Sequence, residues 1–288
     1  MPDNATVTGK TILITGATNG IGKEAARSLA RRGARVVIVG RDAQKCAATV
    51  AELQQSTGSS AVEALTADLS AMAQVHRLAD EVKARCPRLD VLINNAGAYF
   101  DRRLTSADGY EMTFALNHLS YFYLTTLLLD LLKASVPARI VNVSSDAHRL
   151  ARLNLVNPHK PPIYSGFRIY SETKLANVVF TYELARRLEG SGVTANAMHP
   201  GFVRSGFGRN NTGLMAKIFS LMQRFALTPE QGADTIVYLA SAPEVEGVSG
   251  KYFVKRKAVP TSRASYDQET WRALWTLSER LIAERQAV

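Results

Sequence analysis

Tyr170-Ser-Glu-Thr-Lys174 sets a phenol and an ammonium four residues apart. Apolar residues recur at helical spacing from there through Leu175-Ala-Asn-Val-Val-Phe180. The segment therefore reads as one face of a long helix, with Tyr170 and Lys174 neighbours on its surface. Such a pair is an acid/base device. A positive charge favours phenolate and lowers a tyrosine pKa from its reference value of about 10. Bringing it near neutrality takes roughly three units, about 4 kcal/mol. One exposed lysine does not supply that, so the chemistry needs a second cation or a dry pocket. Taken alone, the pair is more simply two residues on a solvated helix, because short motifs recur by chance. The rest of the chain overturns that bland reading.

A second constellation lies near the start. Thr11-Ile-Leu-Ile-Thr15 is a short β-branched run, hence a buried strand. Gly16-Ala-Thr18-Asn19-Gly20-Ile21-Gly22 follows, then a helix from Lys23 to Arg32, Gly33 as its cap, and a strand over Ala34–Val39. In a strand–glycine turn–helix–strand unit, small residues let backbone approach a pyrophosphate, and the helix N-terminus binds its charge. A glycine-rich turn with no ligand is the plainer alternative, but the motif sits where this mechanism needs it. The spacing is Gly-x-x-x-Gly-x-Gly. It differs from the Gly-x-Gly-x-x-Gly of lactate-type dehydrogenases and the Gly-x-x-Gly-x-x-Gly usual in sugar-nucleotide epimerases.

The second strand ends in Val39-Gly40-Arg41, where an NAD site commonly carries a carboxylate for the ribose hydroxyls. A guanidinium there points to the 2′-phosphate of NADP, which it can grip with two hydrogen bonds. The alternative is an arginine that merely caps the strand, and Asp42 is one residue away.

The remaining elements position further polar groups. Asp68-Leu69-Ser70 ends a third strand; Asp68 binds the adenine edge or caps the helix Ala71–Arg85. A fourth strand, from Leu89, ends in Asn94-Asn95-Ala96-Gly97, whose asparagines suit strand-end hydrogen bonds and whose small residues leave room for a ribose. Asn117 sits inside an apolar helix from about residue 109 to 133, a locally unfavourable place unless something requires it. A fifth strand ends in Ser144-Ser145, and a strand over Val193–Met198 ends in His199-Pro200-Gly201. Alternating strands and helices imply α/β architecture: a single-domain, Rossmann-type, doubly wound parallel sheet of about seven strands flanked by helices, with its ligand at the strands' carboxyl ends.

Composition narrows the classes. The 288 residues are 46% apolar and 21% charged, enough for one sizeable core and without repeats or linkers. The net charge of +10 is spread over scattered clusters such as Arg31-Arg32 and Lys255-Arg256-Lys257, with no nucleic-acid-binding signature, so most of it reads as solvated faces. Cys46 and Cys86 give neither a disulfide framework nor metal spacing, and the five histidines give no metal site; packing or hydrogen bonding is the expected role of His118 and His199. The opening residues read as neither signal peptide nor membrane span, and Tyr121–Leu132 is too short and too polar to cross one. The expectation is a soluble, cytoplasmic protein without nucleic-acid partners or bound metal.

In this order, Thr15 to Gly22, Asn94-Asn-Ala-Gly97, Asn117, Ser145, Tyr170-x-x-x-Lys174 and Pro200-Gly201 resemble the short-chain dehydrogenase/reductase family over residues 8–255. A narrower resemblance is to its retinol-dehydrogenase-like branch. It rests on Asn117-His-Leu, Lys174-Leu-Ala-Asn177, Glu183-Leu-Ala-Arg-Arg187, His199-Pro-Gly201, the tail Leu274-Trp-Thr-Leu-Ser-Glu279, and the long gap from Ser145 to Tyr170. Two departures stand out: Ser120 where that branch usually has glycine, and no membrane-anchoring N-terminus like that of the animal enzymes.

The resemblance implies roles. Tyr170 is the general acid in reduction and the base in oxidation; Lys174 lowers its pKa and holds the nicotinamide ribose, and the oxidised ring supplies the second cation. Ser145 rather than Ser144 donates to the substrate oxygen, because the family places its catalytic serine second in the pair. Asn117 holds a water that passes protons through Lys174. NADP(H), in preference to NAD(H), lies against Gly16, Thr18, Asn19, Gly20, Ile21, Gly22, Arg41, Asp68, Leu69, Asn95, Ala96, Gly97, Tyr170 and Lys174, and on Pro200, Gly201, the backbone of Val203, and Ser205. Residues 206–228 form a substrate lid whose apolar stripe includes Leu214, Ile218 and Phe219, although core packing explains such a stripe almost as well. Residues 256–288 are a C-terminal extension. The implied activity is interconversion of a hydrophobic alcohol with its aldehyde or ketone, in a chain whose helices suit a homodimer or homotetramer. A non-catalytic NADP(H) sensor has no need of the proton-relay residues, and the glycine spacing disfavours an epimerase.

Overall fold

The computed structural model of the protein describes residues 7–156, 164–203 and 226–286. The chain alternates β1 (Thr11–Thr15), α1 (Gly20–Arg31), β2 (Arg35–Gly40), α2 (Ala43–Thr57), β3 (Val62–Thr66), α3 (Met72–Arg85) and β4 (Val91–Asn94). A short α4 (Met112–Phe114) passes through a π-turn at Ala115–Leu119 into α5 (Ser120–Ala134). Then come β5 (Ala138–Val143), a 3₁₀ turn (Asp146–Leu150), α6 (Gly166–Arg187), β6 (Val193–His199), α7 (Pro229–Ser241), β7 (Tyr252–Val254), β8 (Lys257–Ala258) and α8 (Gln268–Gln286).

The sheet runs β3-β2-β1-β4-β5-β6-β7-β8, and β1 to β7 are all parallel. The order reverses between β1 and β4, which opens a crevice at the carboxyl ends of the strands. Alternation along β1 divides the core: Leu13 packs with Val75, Leu78, Leu124 and Leu128 on one face, whereas Ile12 and Ile14 pack with Ala25, Leu29, Ile236 and Leu239 on the other. With both faces covered, every residue of β1 is buried, as a central parallel strand requires.

The sheet has eight strands, not about seven. The additional one is β8, two residues antiparallel to β7. Its turn places Lys255 and Arg256 at φ +49° and +63°, an arrangement usually left to Asn-Gly. Tertiary bonds hold it instead: the Arg256 guanidinium pairs with Asp234 through Nε–Oδ2 at 2.8 Å, and its backbone N–H donates to Thr235 Oγ1 at 3.2 Å. Arg256 is thus engaged with a partner rather than belonging to a merely solvated basic run.

The C-terminal segment packs onto the body of the fold. Trp275 meets Phe122 edge-on at 4.9 Å, and the Arg187 guanidinium lies 4.0 Å over the Trp275 ring. No helix among the described residues is long and apolar enough to cross a membrane. The expected lid, apart from residues 226–228, lies outside the described residues, and so do Ser205, Leu214, Ile218 and Phe219.

Candidate active site

On one side of the crevice, backbone touches backbone. Gly16 adopts φ +66°, and a Cβ there would lie 2.7 Å from the Cα of Ala96. A Cβ on Gly22 would come within 2.4 Å of Asn95 Nδ2. Asn95 staples the ends of β1 and β4, its Nδ2 donating to the carbonyls of Thr15 at 2.8 Å and Gly16 at 3.1 Å. Thr15 Oγ1 accepts from the N–H groups of Asn95 and Ala96 at 2.9 and 3.0 Å. The N-cap of α1, Asn19, makes no side-chain cap, and the first turn holds no acidic residue. The helix N-terminus is thereby left open for an anion. Thr18 closes over the end of β2: a Cβ on Gly40 would lie 2.5 Å from its Cγ2.

Arg41 follows β2 and is exposed, and among the described residues it makes no hydrogen bond or ion pair. Asp42 does not compensate it; that carboxylate caps α2 by accepting from Lys45 N–H at 3.0 Å. Asp68 does not cap α3. It closes a local turn, accepting from Ser70 N–H at 2.9 Å and Ser70 Oγ at 2.7 Å, while the N-cap is Ala71 and Asp108 accepts from Met72 N–H at 2.8 Å. Leu69 is buried in the core.

The other side is built from α6 and the ends of β4 and β5. Lys174 is 4% exposed, and among the described residues its Nζ donates to the Val143 carbonyl at 3.1 Å. Nζ lies 5.6 Å from the Tyr170 ring centroid, and no carboxylate among the described residues pairs with it. A Cβ on Gly97 would sit 3.5 Å from Nζ, so glycine keeps the space beside the ammonium open. The Ser145 hydroxyl lies close enough to Tyr170 to favour its phenolate. Ser145 Oγ accepts from Ala147 N–H at 3.2 Å, which leaves its O–H free to donate. Ser144 points away and donates to the Lys174 carbonyl at 2.8 Å, a strand-to-helix tie. Asn117 sits in the π-turn with its amide fully engaged. Oδ1 accepts from Ala98 N–H at 2.9 Å, and Nδ2 donates to the Ala98 carbonyl at 2.9 Å and to Thr173 Oγ1 at 3.2 Å.

The electrostatics correct one expectation. A dry pocket does not acidify the phenol: burial disfavours phenolate and pushes Tyr170 up to about 12, against a smaller lowering by the Ser145 hydrogen bond. The same burial takes Lys174 down to about 8, because an ammonium is costlier to bury than an amine. Acidity at Tyr170 must therefore come from charge brought into the crevice.

Several contributors carry no signal in sequence. The Tyr99 ring stands edge-on to Tyr170 at 6.2 Å. Tyr121, one turn after His118, is fully buried, and its ring lies 6.0 Å from Lys174 Nζ. Glu111, buried at 2%, caps α4 and accepts from Tyr164 Oη at 3.1 Å, tying the approach to α6 to the start of the α4–α5 helix. His118 Nε2 meets Ser278 Oγ at 3.0 Å, a packing role, and burial lowers its pKa to about 4. Beyond β6, Pro200 leads to Gly201 at φ +85°, and Val203 bridges to Leu227. No metal-ligating group of three acidic, histidine or cysteine residues occurs among the described residues.

Comparison with known proteins agrees with this geometry. The short chain dehydrogenase family profile matches residues 10–213. Human retinol dehydrogenase 13 is 41% identical over 98% of this chain and 87% of its own length. Mouse retinol dehydrogenase 14 is 42% identical over 95% of this chain and 86% of its own. The crystal structure of an uncharacterised protein from Mycobacterium paratuberculosis superposes with a TM-score of 0.78 at 34% identity, covering 96% of this chain and 95% of that one. The Pseudomonas aeruginosa RhlG/NADP complex gives 0.71 at 29% identity, covering 92% and 100%. The chain belongs to the short-chain dehydrogenase/reductase family, in its retinol-dehydrogenase-like branch, and is an NAD(P)-dependent oxidoreductase acting on CH–OH groups.

Proposed function

We propose that the protein is an NADP(H)-dependent oxidoreductase that interconverts a hydrophobic alcohol and its aldehyde or ketone, with Tyr170 moving the proton. One observation carries the reading: a buried ammonium with a single acceptor among the described residues stands beside the Tyr170 and Ser145 hydroxyls at the carboxyl ends of the sheet. A lysine buried without a carboxylate is costly, and such groups concentrate at functional sites. The RhlG/NADP complex among the similar structures supports the choice of NADP(H).

The residues fit the cofactor. Gly16, Gly20 and Gly22 with the open end of α1 would receive its pyrophosphate; Arg41 would take the 2′-phosphate; Asn95, Ala96 and Gly97 would flank a ribose. Lys174 Nζ has donors left for ribose hydroxyls, since an ammonium offers three and Val143 takes one. Asp68, Leu69, Pro200, Gly201, Val203 and Ser205 complete the proposed binding set. When bound, the nicotinamide gives or accepts the hydride.

The chain's own groups handle the oxygen and its proton. Ser145 donates its free O–H to the substrate oxygen, where negative charge develops in reduction. Tyr170 delivers its proton to the same oxygen, or takes it in oxidation. Lys174 remains cationic at neutral pH and favours the phenolate that results. The side-chain amide of Asn117 is committed to Ala98 and Thr173, so its role is to dock the β4 exit loop. A π-turn takes backbone groups out of the regular ladder, so a relay water at Asn117 would be held by main chain. Two free, buried cysteines fit a reducing, cytoplasmic setting.

The test is turnover of NADPH with a panel of apolar aldehydes and ketones. Tyr170→Phe should lose at least about two orders of magnitude in kcat. Undiminished turnover in that variant rules the mechanism out.

A further inference from the structure

We propose that His148 is a positioning residue for Ser145: it clamps the turn that carries this serine to the C-terminal segment of the chain. The inference rests on the reading of Ser145 as the hydroxyl that meets the substrate oxygen.

The His148 ring is fully buried and bonded at both nitrogens to backbone. Nδ1 lies 2.7 Å from the Ser145 carbonyl, and Ser262 N–H donates to Nε2 at 3.2 Å. A carbonyl only accepts and an amide N–H only donates, so these partners fix one form of the ring: neutral, with its proton on Nδ1. Burial lowers the His148 pKa, which keeps the neutral form in place. The Tyr252 ring of β7 packs against the His148 ring in a T-shaped arrangement, with centroids 4.9 Å apart.

The turn needs such a clamp. Asp146–Leu150 is a single 3₁₀ turn, a type with poor internal hydrogen-bond geometry. Ser145 enters it in extended conformation, so the direction of Oγ follows the direction of that backbone. Its carbonyl accepts twice from His148, from the backbone N–H at 3.0 Å and from the ring. Neighbouring bonds reach the same distant segment. The Arg149 guanidinium donates to the Pro260 carbonyl at 2.6 Å, and Thr261 Oγ1 meets Tyr182 of α6 at 2.7 Å. Residues 260–262 are thus seated against both the Ser145 turn and the helix that carries Tyr170. The orientation of one hydroxyl is set by chain that lies 114 residues beyond the histidine that reads it.

Two substitutions separate the two bonds. Asparagine carries its amide nitrogen two bonds from Cβ, as histidine carries Nδ1; His148→Asn can still donate to the Ser145 carbonyl. Glutamine carries its amide oxygen three bonds from Cβ, as histidine carries Nε2; His148→Gln can accept from Ser262 but not restrain Ser145. His148→Ala should lower kcat about 10- to 100-fold, the scale of a misplaced reacting group, with the dissociation constant for NADPH unchanged. His148→Asn should recover most of that loss and His148→Gln little of it. Each kcat is taken on protein shown folded by far-UV circular dichroism, and the Asn/Gln pair decides the matter if the alanine variant does not fold. Equal kcat in the Asn and Gln variants, or parental kcat in His148→Ala, overturns the inference. Ser145→Ala is measured alongside. If it keeps its turnover, the reading of Ser145 falls and this inference with it. If it is inactive while His148→Ala works like the parent, only the role of His148 falls.

Discussion

The crevice has two walls made by opposite means. Along β1, α1 and β2 the wall is made of missing atoms: Gly16 against Ala96, Gly22 against Asn95, Gly40 under Thr18. Along β5 and α6 it is made of added ones. Asn94 Nδ2 donates to Asn142 Oδ1 at 2.8 Å and Thr125 Oγ1 at 2.9 Å, Asn142 Nδ2 donates to Thr181 Oγ1 at 2.9 Å, and Lys174 reaches the Val143 carbonyl. The first wall works by leaving atoms out, and the second by the polar atoms it holds in place. A phosphate-bearing ligand needs backbone at close range, which only small residues allow; proton chemistry needs fixed hydroxyls and an ammonium, which only side chains supply.

The glycine wall should show the largest effect. Gly16→Ala combines a positive φ with a Cβ driven to 2.7 Å from the Ala96 Cα, a backbone atom that cannot swing aside. A cost of about 3 kcal/mol in urea denaturation follows from overpacking plus left-handed strain, together with loss of NADPH binding by fluorescence titration. Gly58→Ala is the control. Gly58 has φ +71° but nothing within 4 Å of the new Cβ, so it should cost about 1 kcal/mol and leave binding intact. Equal costs at the two positions would mean that strain, not contact, builds this wall.

On the polar wall, Lys174 offers the sharper contrast, because here removal should stabilise. Its pKa falls from 10.5 to about 8 through burial, so the folded chain holds the ammonium at a penalty. At pH 7 both the folded and unfolded chains carry the proton, and the penalty, on the order of 3 kcal/mol, is present in full. Between pH 8 and 10.5 the folded chain releases its proton first, so stability without cofactor climbs with pH. Lys174→Met should abolish turnover yet raise the pH 7 stability by about 1–3 kcal/mol, with the advantage shrinking by pH 10. Thermal melts at both pH values check it, and a variant less stable than the parent at pH 7 contradicts the buried-cation account.

The contrast also explains what could be read from the chain. Strand and helix periodicity locates the sheet, and Gly16 and Gly22 of the glycine wall lie within Thr15 to Gly22, so their spacing is visible in one short window. Tyr170 and Lys174 are likewise one helical turn apart. The polar wall depends on pairs such as Asn142 with Thr181 and His148 with Ser262, which no local pattern announces. The π-turn at Asn117 breaks the very period used to find the helix. The β7–β8 hairpin lacked a turn signal because Asp234 and Thr235, not glycine, hold it. Of the two routes to an acidic Tyr170, a second cation or a dry pocket, sequence does not show that burial works against the phenolate.

A milder break in the polar wall is Thr181→Val. It keeps the shape but removes the oxygen that accepts from Asn142 Nδ2, leaving a buried amide hydrogen unpaired. The expected cost is about 1–2 kcal/mol, with kcat little changed because the chain of bonds lies behind the hydroxyl pair. Double substitution with Thr125→Val, which leaves one of the two Asn94 Nδ2 hydrogens unpaired in the same network, should cost less than the sum of the two. Strict additivity would show that Asn94 and Asn142 act as separate ties.

Arg41 should give the smallest change in stability and the cleanest change in function. It is exposed at the end of β2 and, among the described residues, touches no partner; its neighbour Asp42 is already committed to capping α2. Arg41→Asp should therefore stay within about 0.5 kcal/mol of the parent. Its effect belongs to the ligand. A guanidinium on the 2′-phosphate contributes about 1.5–3 kcal/mol as a charge-assisted contact, and a carboxylate there repels phosphate but accepts from a ribose hydroxyl. The ratio of kcat/KM for NADPH over NADH should fall at least about tenfold, which is the lower end of that contact energy. The same ratio before and after would remove Arg41 from the site, leaving the glycine wall to bind the pyrophosphate without choosing between the two cofactors.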